Sequence, residues 1–465
     1  MDRMFRYFII RLFLVISMAL SFQTFGSSGL LRNAKALADK NLFFTSIPYI
    51  KEYLAEGNVN PNSQSELLID TIITNSGVRQ FEVLPENILE RSDAPIVRYI
   101  LAKKYFRKER YGEALNKLRS RIPLLHPVKP FALFLEGSIL TIQGQHEASL
   151  DVYAECIKVS KMHLKRTDVP SRIRQLNINK DNCVVGIPRA QFGSKNHKQA
   201  SLTYLDLEKE SFVWPEILFE EAWNSFYLED YNRSLGKLVT YKAPVFDYIF
   251  NPEVDILKAM SYLHLCLYDD VSKVVAEYYE QYQNVSKQLE NMLGRMGRNY
   301  EAYFNLGRNF YNSKRGSEVI MDKMLSSITR DPAFIEQMEA YNRGVMEVNQ
   351  IRNVADNHKS SQLRHNLRLA LDLQKDLIGA YVRGNLRGFY AQIKKGFEDM
   401  TYMKLEILSR KKKLIYENIK EQDRKRGDIK YLKRNDKQYF WTFNGEFWAD
   451  ELGDYVFALR SECNE

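Results

Sequence analysis

The 465-residue chain is 45% hydrophobic and has only four cysteines, which is ample material for a core but too few thiols for a dense disulfide framework. Its net charge of +9 comes from 67 basic residues interspersed with 58 acidic ones, a mixed surface that argues against a dedicated nucleic-acid binder. Only 13 Pro and 22 Gly punctuate this length, which suits long helices and either several domains or one repeat array.

In chain order, "MDRMFRYFIIRLFLVISMALSFQTFGSSG" begins with Arg3, Arg6 and Arg11 and runs apolar from Leu12 to Leu20. Small residues follow, with Thr24 and Gly26 at −3 and −1 of a cut after Gly26. This is the layout of a secretory signal peptide over residues 1–26. The apolar run is shorter than the roughly 20 residues a bilayer-spanning helix needs. An uncleaved N-terminus anchored in the inner membrane is the alternative. No Cys follows the run, so a lipoprotein anchor is disfavoured. The expected mature protein is periplasmic, with a net charge of +7 once three Arg and one Asp are removed.

From residue 27 a period emerges. Ser46, Gln80, Ala114 and Ala148 are spaced by 34 residues, as are Ala200 and Ser234, and Val271 follows with three extra. Four residues after each anchor stands an apolar or aromatic residue: Ile50, Leu84, Leu118, Val152, Tyr204, Leu238 and Val275. Three before, an aromatic recurs at Phe43, Tyr111, Tyr231 and Tyr268, and twelve before, Ala recurs at Ala34, Ala102, Ala222 and Ala259. Two antiparallel helices approach closely only where small residues face each other, and larger side chains a turn away fill the flanks. One hairpin cannot bury its own apolar face, so hairpins stack at a fixed period.

On these residues the chain resembles the tetratricopeptide repeat over roughly residues 30–280. The fit is good at Ala102–Leu118, Ala222–Leu238 and Ala259–Val275. It is weaker around Gln80, at Pro188, where a small residue is expected, and at the Gly137–Ala148 hairpin, which is one residue short. The expected fold is all-α: a helical-hairpin solenoid followed by long C-terminal helices and an aromatic tail. N-terminal repeats cover 27–160 and C-terminal repeats 183–282. Between them the polar stretch 161–182 reads as an insertion, either a loop or an extended helix end. Cys156 and Cys183 bracket it, as a disulfide staple or as separate buried thiols.

Over 283–430 the register is lost but helical patterning persists. Asp331–Pro332 breaks it, since Pro disfavours helix at the residue before it. Leu386, Phe389, Ile393, Phe397, Met400, Met403 and Ile407 then recur every three or four residues, as in a long helix. Such helices suit a coiled coil, a homo-oligomer contact or a cover for the last repeat. The basic clusters Arg410–Lys413 and Arg424–Arg426 are interleaved with acids and read first as solvated helix faces, with membrane-surface contact as a weaker alternative.

The tail, 431–465, concentrates Tyr439, Phe440, Trp441, Phe443, Phe447, Trp448, Tyr455 and Phe457, a density of aromatics expected to dock on something. Its "FNGEFWADELGDY" block (Phe443–Tyr455), following "VWPEILFEEAW" (Val213–Trp223), resembles exported envelope tetratricopeptide-repeat proteins of deltaproteobacteria. That resemblance implies a scaffold within an envelope or motility complex.

No catalytic, cofactor or metal motif stands out. The seven His form neither HExxH nor a set with CxxC, and "GRMG" at Gly294–Gly297 lacks the strand and third glycine of a dinucleotide loop. "SLGK" (Ser234–Lys237) has the SxxK spacing of some acyl-serine enzymes, but Ser234 is the expected small contact between helices. The expectation is therefore a non-enzyme without cofactors. A peptidoglycan-associated enzyme and a lipid- or polyanion-surface binder are the alternatives weighed against it.

The resemblance also implies where a partner sits, because first helices line the groove of tetratricopeptide arrays. Phe219, Trp223, Phe226 and Tyr227 fall on one stripe, with Met260, Leu263 and His264 on the next helix and Lys103, Phe106, Arg107 and Arg189 upstream. The expected groove is basic in its first half and aromatic in its second. Its expected occupant is another envelope protein or the chain's own tail.

Overall fold

A computed structural model describes residues 29–56, 63–119, 122–313, 319–354, 357–416 and 438–463. The expected signal peptide and the basic cluster at 424–426 lie outside the described residues. The chain is all-α. Helix α1 spans 29–38. It is followed by α2 (Phe43–Ala55), α3 (Ser63–Ser76), α4 (Arg79–Glu82), α5 (Glu86–Leu89), α6 (Pro95–Arg107) and α7 (Tyr111–Arg119). Next come α8 (Lys129–Ile142), α9 (His146–Leu164), α10 (Pro170–Gly193), α11 (His197–Thr203), α12 (Trp214–Tyr227) and α13 (Tyr231–Val239). The series closes with α14 (Glu253–His264), α15 (Tyr268–Met296), α16 (Tyr300–Ser313), α17 (Val319–Arg330), α18 (Pro332–Val354) and α19 (Asn357–Tyr416). Two-residue strands β1 (Trp441–Thr442) and β2 (Tyr455–Val456) pair in parallel within the tail.

Six hairpin turns share one backbone solution. Asn41, Glu109, Gly144, Lys195, Glu229 and Cys266 all have positive φ, between 58° and 74°. At the second of these, the Glu109 amide donates to the Phe106 carbonyl and the Arg110 amide to the Tyr105 carbonyl, and the same pair of bonds recurs at the other five. This is the Schellman helix ending, in which one left-handed residue satisfies carbonyls the helix would otherwise orphan. The second helix starts at once. Five residues beyond each left-handed residue, the amides of Ser46, Ala114, Ser149, Ala200, Ser234 and Val271 donate back to Leu42, Arg110, Gln145, Asn196, Asp230 and Leu267.

All six of those residues are fully buried, as are Ala34, Ala102, Ala222 and Ala259. Five of the six are the sequence anchors. The exception is a correction: Ala148 is exposed, and Ser149 occupies the small-residue seat. Tyr153 accordingly replaces Val152 as the buried filler four residues on. The weak fit around Gln80 also has a cause. In place of one second helix there are the single turns α4 and α5, interrupted at Pro85.

The stretch 161–182 is not a loop. It is the end of α9, a short turn and the beginning of α10, two long helices packed on each other. A Cys156–Cys183 disulfide joins them, and Asn179 Nδ2 donates to Ser160 Oγ at 3.2 Å. The break expected at Pro332 is present, with Asp331 Oδ1 accepting from the Ala333 amide at 2.7 Å as a cap.

The chain divides into two compact units. One comprises residues 1–139 and 335–378. Here Glu347 on α18 caps α2, whose preceding Leu42 offers no side-chain cap. Its carboxylate accepts from the Phe44 and Thr45 amides at 2.8 and 2.9 Å and from the Thr45 hydroxyl at 2.7 Å. The buried Gln80 donates to the Ala370 carbonyl at 2.8 Å, tying α4 to α19.

The other unit comprises 140–334 and 379–465. Within it α19 buries Leu386, Ile393, Met400, Met403 and Ile407, the stripe expected from their spacing. Gly396 admits Tyr278 of α15, whose hydroxyl sits 1.9 Å from where a Cβ would be. That hydroxyl donates to the Ile393 carbonyl at 3.2 Å.

Candidate functional site

In the first unit, Lys103 and Arg107 do not stand free. Glu82, on the one-turn helix α4, gathers Lys103 Nζ at 2.5 Å, Arg107 Nη2 at 2.6 Å and Arg79 Nη1 at 3.2 Å. Lys104 Nζ donates to the Glu82 and Leu84 carbonyls at 2.8 Å each. Burial alone would raise the Glu82 pKa, but Lys103, Arg79 and Arg107 outweigh it and hold the carboxyl at about 2. One carboxylate facing three cations leaves this surface positive, with Arg107 about half exposed. Phe106 lies beside it, its ring 6.0 Å from that of Tyr111. Lys51 Nζ adds a cation whose hydrogen-bond partner among the described residues is the Gln80 amide oxygen, and burial lowers its pKa to about 8.

In the second unit the expected aromatic stripe forms. On α12, Phe219, Trp223, Phe226 and Tyr227 contact one another edge-to-face or tilted, with centroids 5.7–6.4 Å apart. Tyr227 stacks on His197 at 5.2 Å and meets Phe192 edge-on at 5.3 Å. Phe226 meets His264 of α14 at 5.0 Å, and His264 stacks on Tyr231 at 5.1 Å. The inner edges of Phe219, Trp223 and Phe226 rest on Ala222, Leu238 and Leu257. The outer edges remain in solvent: Tyr227 is 55% exposed, and His264 is exposed too. Met260 and Leu263 are half-buried on α14.

Arg189 belongs to this unit but contributes no open positive charge. Its Nε lies within 3.0 Å of both Glu220 carboxylate oxygens, its Nη2 2.6 Å from Glu220 Oε1 and 3.4 Å from Glu216 Oε1. Ser234 is fully buried at the α13–α14 contact, 3.4 Å from Ser261 Oγ, so no reachable nucleophile stands there.

The tail runs elsewhere. It lies along α13, where Gly453 donates to Thr240 Oγ1 at 3.1 Å and Phe457 to the Asn232 carbonyl at 3.1 Å. The Asn232 side chain takes both the amide and the carbonyl of Leu459, at 2.9 and 3.0 Å. Gly236 makes the crossing feasible, because a Cβ there would lie 1.7 Å from the Tyr455 carbonyl oxygen. Phe447 and Leu452 pack with Trp214 and Leu218, and Phe457 and Leu459 pack with Leu235, Leu265 and Leu267. A disulfide from Cys463 to Cys266 holds the end. Among the described residues no hydrogen bond or ring contact joins the tail to a side chain of the aromatic stripe, and Cys463 meets this hairpin through its disulfide to Cys266.

The chain matches no protein-family model and no curated protein. Sequence reasoning missed Glu82 as the collector of the basic face and Asn232 as the tail's clasp. A lone carboxylate or amide has no spacing to announce it. Cys463 carried a signal, a fourth cysteine without a local partner, but not the identity of Cys266 as its mate.

Proposed function

We propose that this chain is a non-catalytic, exported adaptor of the cell envelope, of the tetratricopeptide-repeat kind, that holds other envelope proteins on the first-helix faces of its hairpins. The observation that carries the reading is the position of the tail. The aromatic stripe on α12 and α14 keeps exposed edges, while the segment most suited to cover it is committed to α13. Exposed aromatic clusters on ordered helices are the usual seats of binding energy, with Trp, Tyr and Arg as anchors. The recurrent Schellman turns and the buried small-residue seats support the repeat reading. Among the described residues no helix is long and apolar enough to cross a membrane. Periplasmic export rests on residues 1–26.

The test is a photo-crosslinking residue at Tyr227, introduced in living cells, with products identified by mass spectrometry. Crosslinks to a second envelope protein are expected. Crosslinks confined to residues 438–463 of the same chain would make the stripe an internal seat and overturn the adaptor reading.

A further inference from the structure

Near its C-terminal end, helix α19 is apolar on two faces. Met400, Met403 and Ile407 are buried in the second unit. Tyr402, Leu405 and Leu408, by contrast, are 72%, 58% and 58% exposed. At about 3.6 residues per turn, each step of three residues turns back by roughly 60°, so these three share one face, opposite the buried stripe. A helix on the surface of a globular domain ordinarily keeps that face polar. Single exposed apolar residues need no explanation, but three large ones on adjacent turns form a patch that calls for a cover.

The patch sits in a frame of lysines. The same helical geometry puts Lys394 and Lys412 in line with Leu405, about 16 Å before it and about 10 Å beyond it. Lys395 flanks Tyr402 and Lys404 flanks Leu408, and all four lysines are exposed. Acids are fewer here. Glu398 shares the face, Asp399 is half-buried to one side, and Glu406 turns to Arg410, with Oε1 2.8 Å from its Nε. Four cations and one carboxylate leave the face positive, so pairing it with a second copy would oppose like charges. An anionic lipid surface meets both features. Long lysine stems reach headgroup phosphates while the apolar side chains between them enter the acyl boundary. Tyrosine suits that boundary, with an apolar ring and a polar hydroxyl. In sequence, interleaved acids made this segment read first as a solvated helix face, and it is the outward direction of Leu405 and Leu408 that changes the reading.

We propose that this face of α19 docks on the surface of an anionic phospholipid membrane. Tyr402, Leu405 and Leu408 enter the headgroup–acyl boundary, and Lys394, Lys395, Lys404 and Lys412 meet the lipid phosphates. The helix lies on the bilayer and does not cross it. The face belongs wholly to the second unit and uses no residue of the aromatic stripe, so it does not depend on the adaptor reading.

The experiment places a fluorophore on the face itself. All four native cysteines are paired, so Ser409→Cys gives the full oxidised chain a single thiol, exposed beside Leu405 and Leu408, for an environment-sensitive nitrobenzoxadiazole label. Vesicles of phosphatidylcholine with about one-third phosphatidylglycerol should shift the emission to the blue in a saturable way, and pure phosphatidylcholine should bind at least about tenfold more weakly. Added salt should weaken the anionic binding. Leu405→Gln/Leu408→Gln alters only exposed positions, so thermal unfolding should be unchanged while the affinity falls by about tenfold or more. Lys395→Gln/Lys404→Gln provides a second arm, with a loss of about fivefold per lysine. No blue shift at accessible lipid up to about 1 mM, or an equal shift in the leucine variant, would overturn the proposal. So would a shift that grows with protein concentration without vesicles, which would make the face a contact between copies. A shift with soluble polyglutamate but not with anionic vesicles would also overturn it, in favour of an acidic protein partner.

Discussion

Replacing Gly236 by alanine inverts an ordinary rule, and the inversion is measurable. In the interior of a helix this change normally stabilises, by roughly 0.5–1 kcal/mol, because glycine loses more backbone freedom on folding. At Gly236 the added Cβ would lie 1.7 Å from the Tyr455 carbonyl oxygen, 2.3 Å from its carbon and 2.8 Å from the Val456 nitrogen. All three are backbone atoms, so no side-chain rotation relieves the clash. Helix α13 cannot retreat either, because Ser234, Leu235 and Leu238 are buried beneath it. The tail must lift. Tyr455 and Val456 are both fully buried, and exposing them costs about 1.5–3 kcal/mol each, so tail docking should weaken by roughly 3–6 kcal/mol. Non-reducing limited trypsinolysis reads this directly. Cleavage after Arg460 should rise steeply in the variant while the fragment stays attached through Cys266–Cys463. Unchanged protection of the tail, together with a gain of up to about 1 kcal/mol in unfolding stability, would show that the tail does not cross α13 at Gly236.

Glu82 provides an acid-dependent prediction. Its folded pKa of about 2 lies below the ordinary 4.5, so its contribution is fully present above pH 4.5 and is lost as the pH falls toward 2. The depression corresponds to about 3 kcal/mol at most, so Glu82→Gln should destabilise by about 2–3 kcal/mol at pH 7 and flatten the acid limb of urea-unfolding stability between pH 4.5 and 2. A parallel acid limb in the variant would sink the assignment. The two disulfides close stretches separated by 27 and 197 residues. Loop-closure reasoning gives about 3–5 kcal/mol for each, so Cys156→Ser/Cys183→Ser should lower unfolding stability by that scale. Non-reducing peptide mapping should recover only the pairs Cys156–Cys183 and Cys266–Cys463, and any other pairing would refute the placement of the tail.

The hairpins were legible because their cause is local. A small residue at a helix crossing must recur wherever the crossing recurs, so Ala114, Ala200, Ser234 and Val271 could be found by counting. The slip at Ala148 shows the limit of that approach. Residue type favoured Ala148, but backbone geometry sets the register. Counting five from the left-handed residue Gly144 reaches Ser149, which is also small and fully buried. Glycine would have signalled the turn there. Glu109, Lys195, Glu229 and Cys266 adopt the same positive φ without glycine, so composition does not mark those turns. The long helix α19 was legible for the same local reason, through its three- and four-residue apolar spacing. The expected basic groove was only half legible. Lys103 and Arg107 do share a face, but their charge is set by Glu82, which enters from another helix. Arg189 is neutralised by Glu220, which is 31 residues away.

The tail shows what long-range packing adds. Its aromatic density indicated docking, and the site depended on a residue that reads in sequence as nothing more than a helix weakener. Gly236 opens the surface of α13, Asn232 clasps the Leu459 backbone, and Cys266 fixes the end. All three lie on second helices or turns, whereas Phe219, Trp223, Phe226 and Tyr227 lie on the first helix of the hairpin. The repeat thus gives the two helices of a pair different work. The second helix seats a segment of the chain itself through small residues and backbone hydrogen bonds, with Phe447 and Leu452 resting on Trp214 and Leu218 at the start of α12. The later part of the first helix, Phe219 to Tyr227, keeps its rings at the surface. A tail held on the second helix leaves those rings accessible, and this is why a crosslink from Tyr227 can separate an adaptor from a self-capped array.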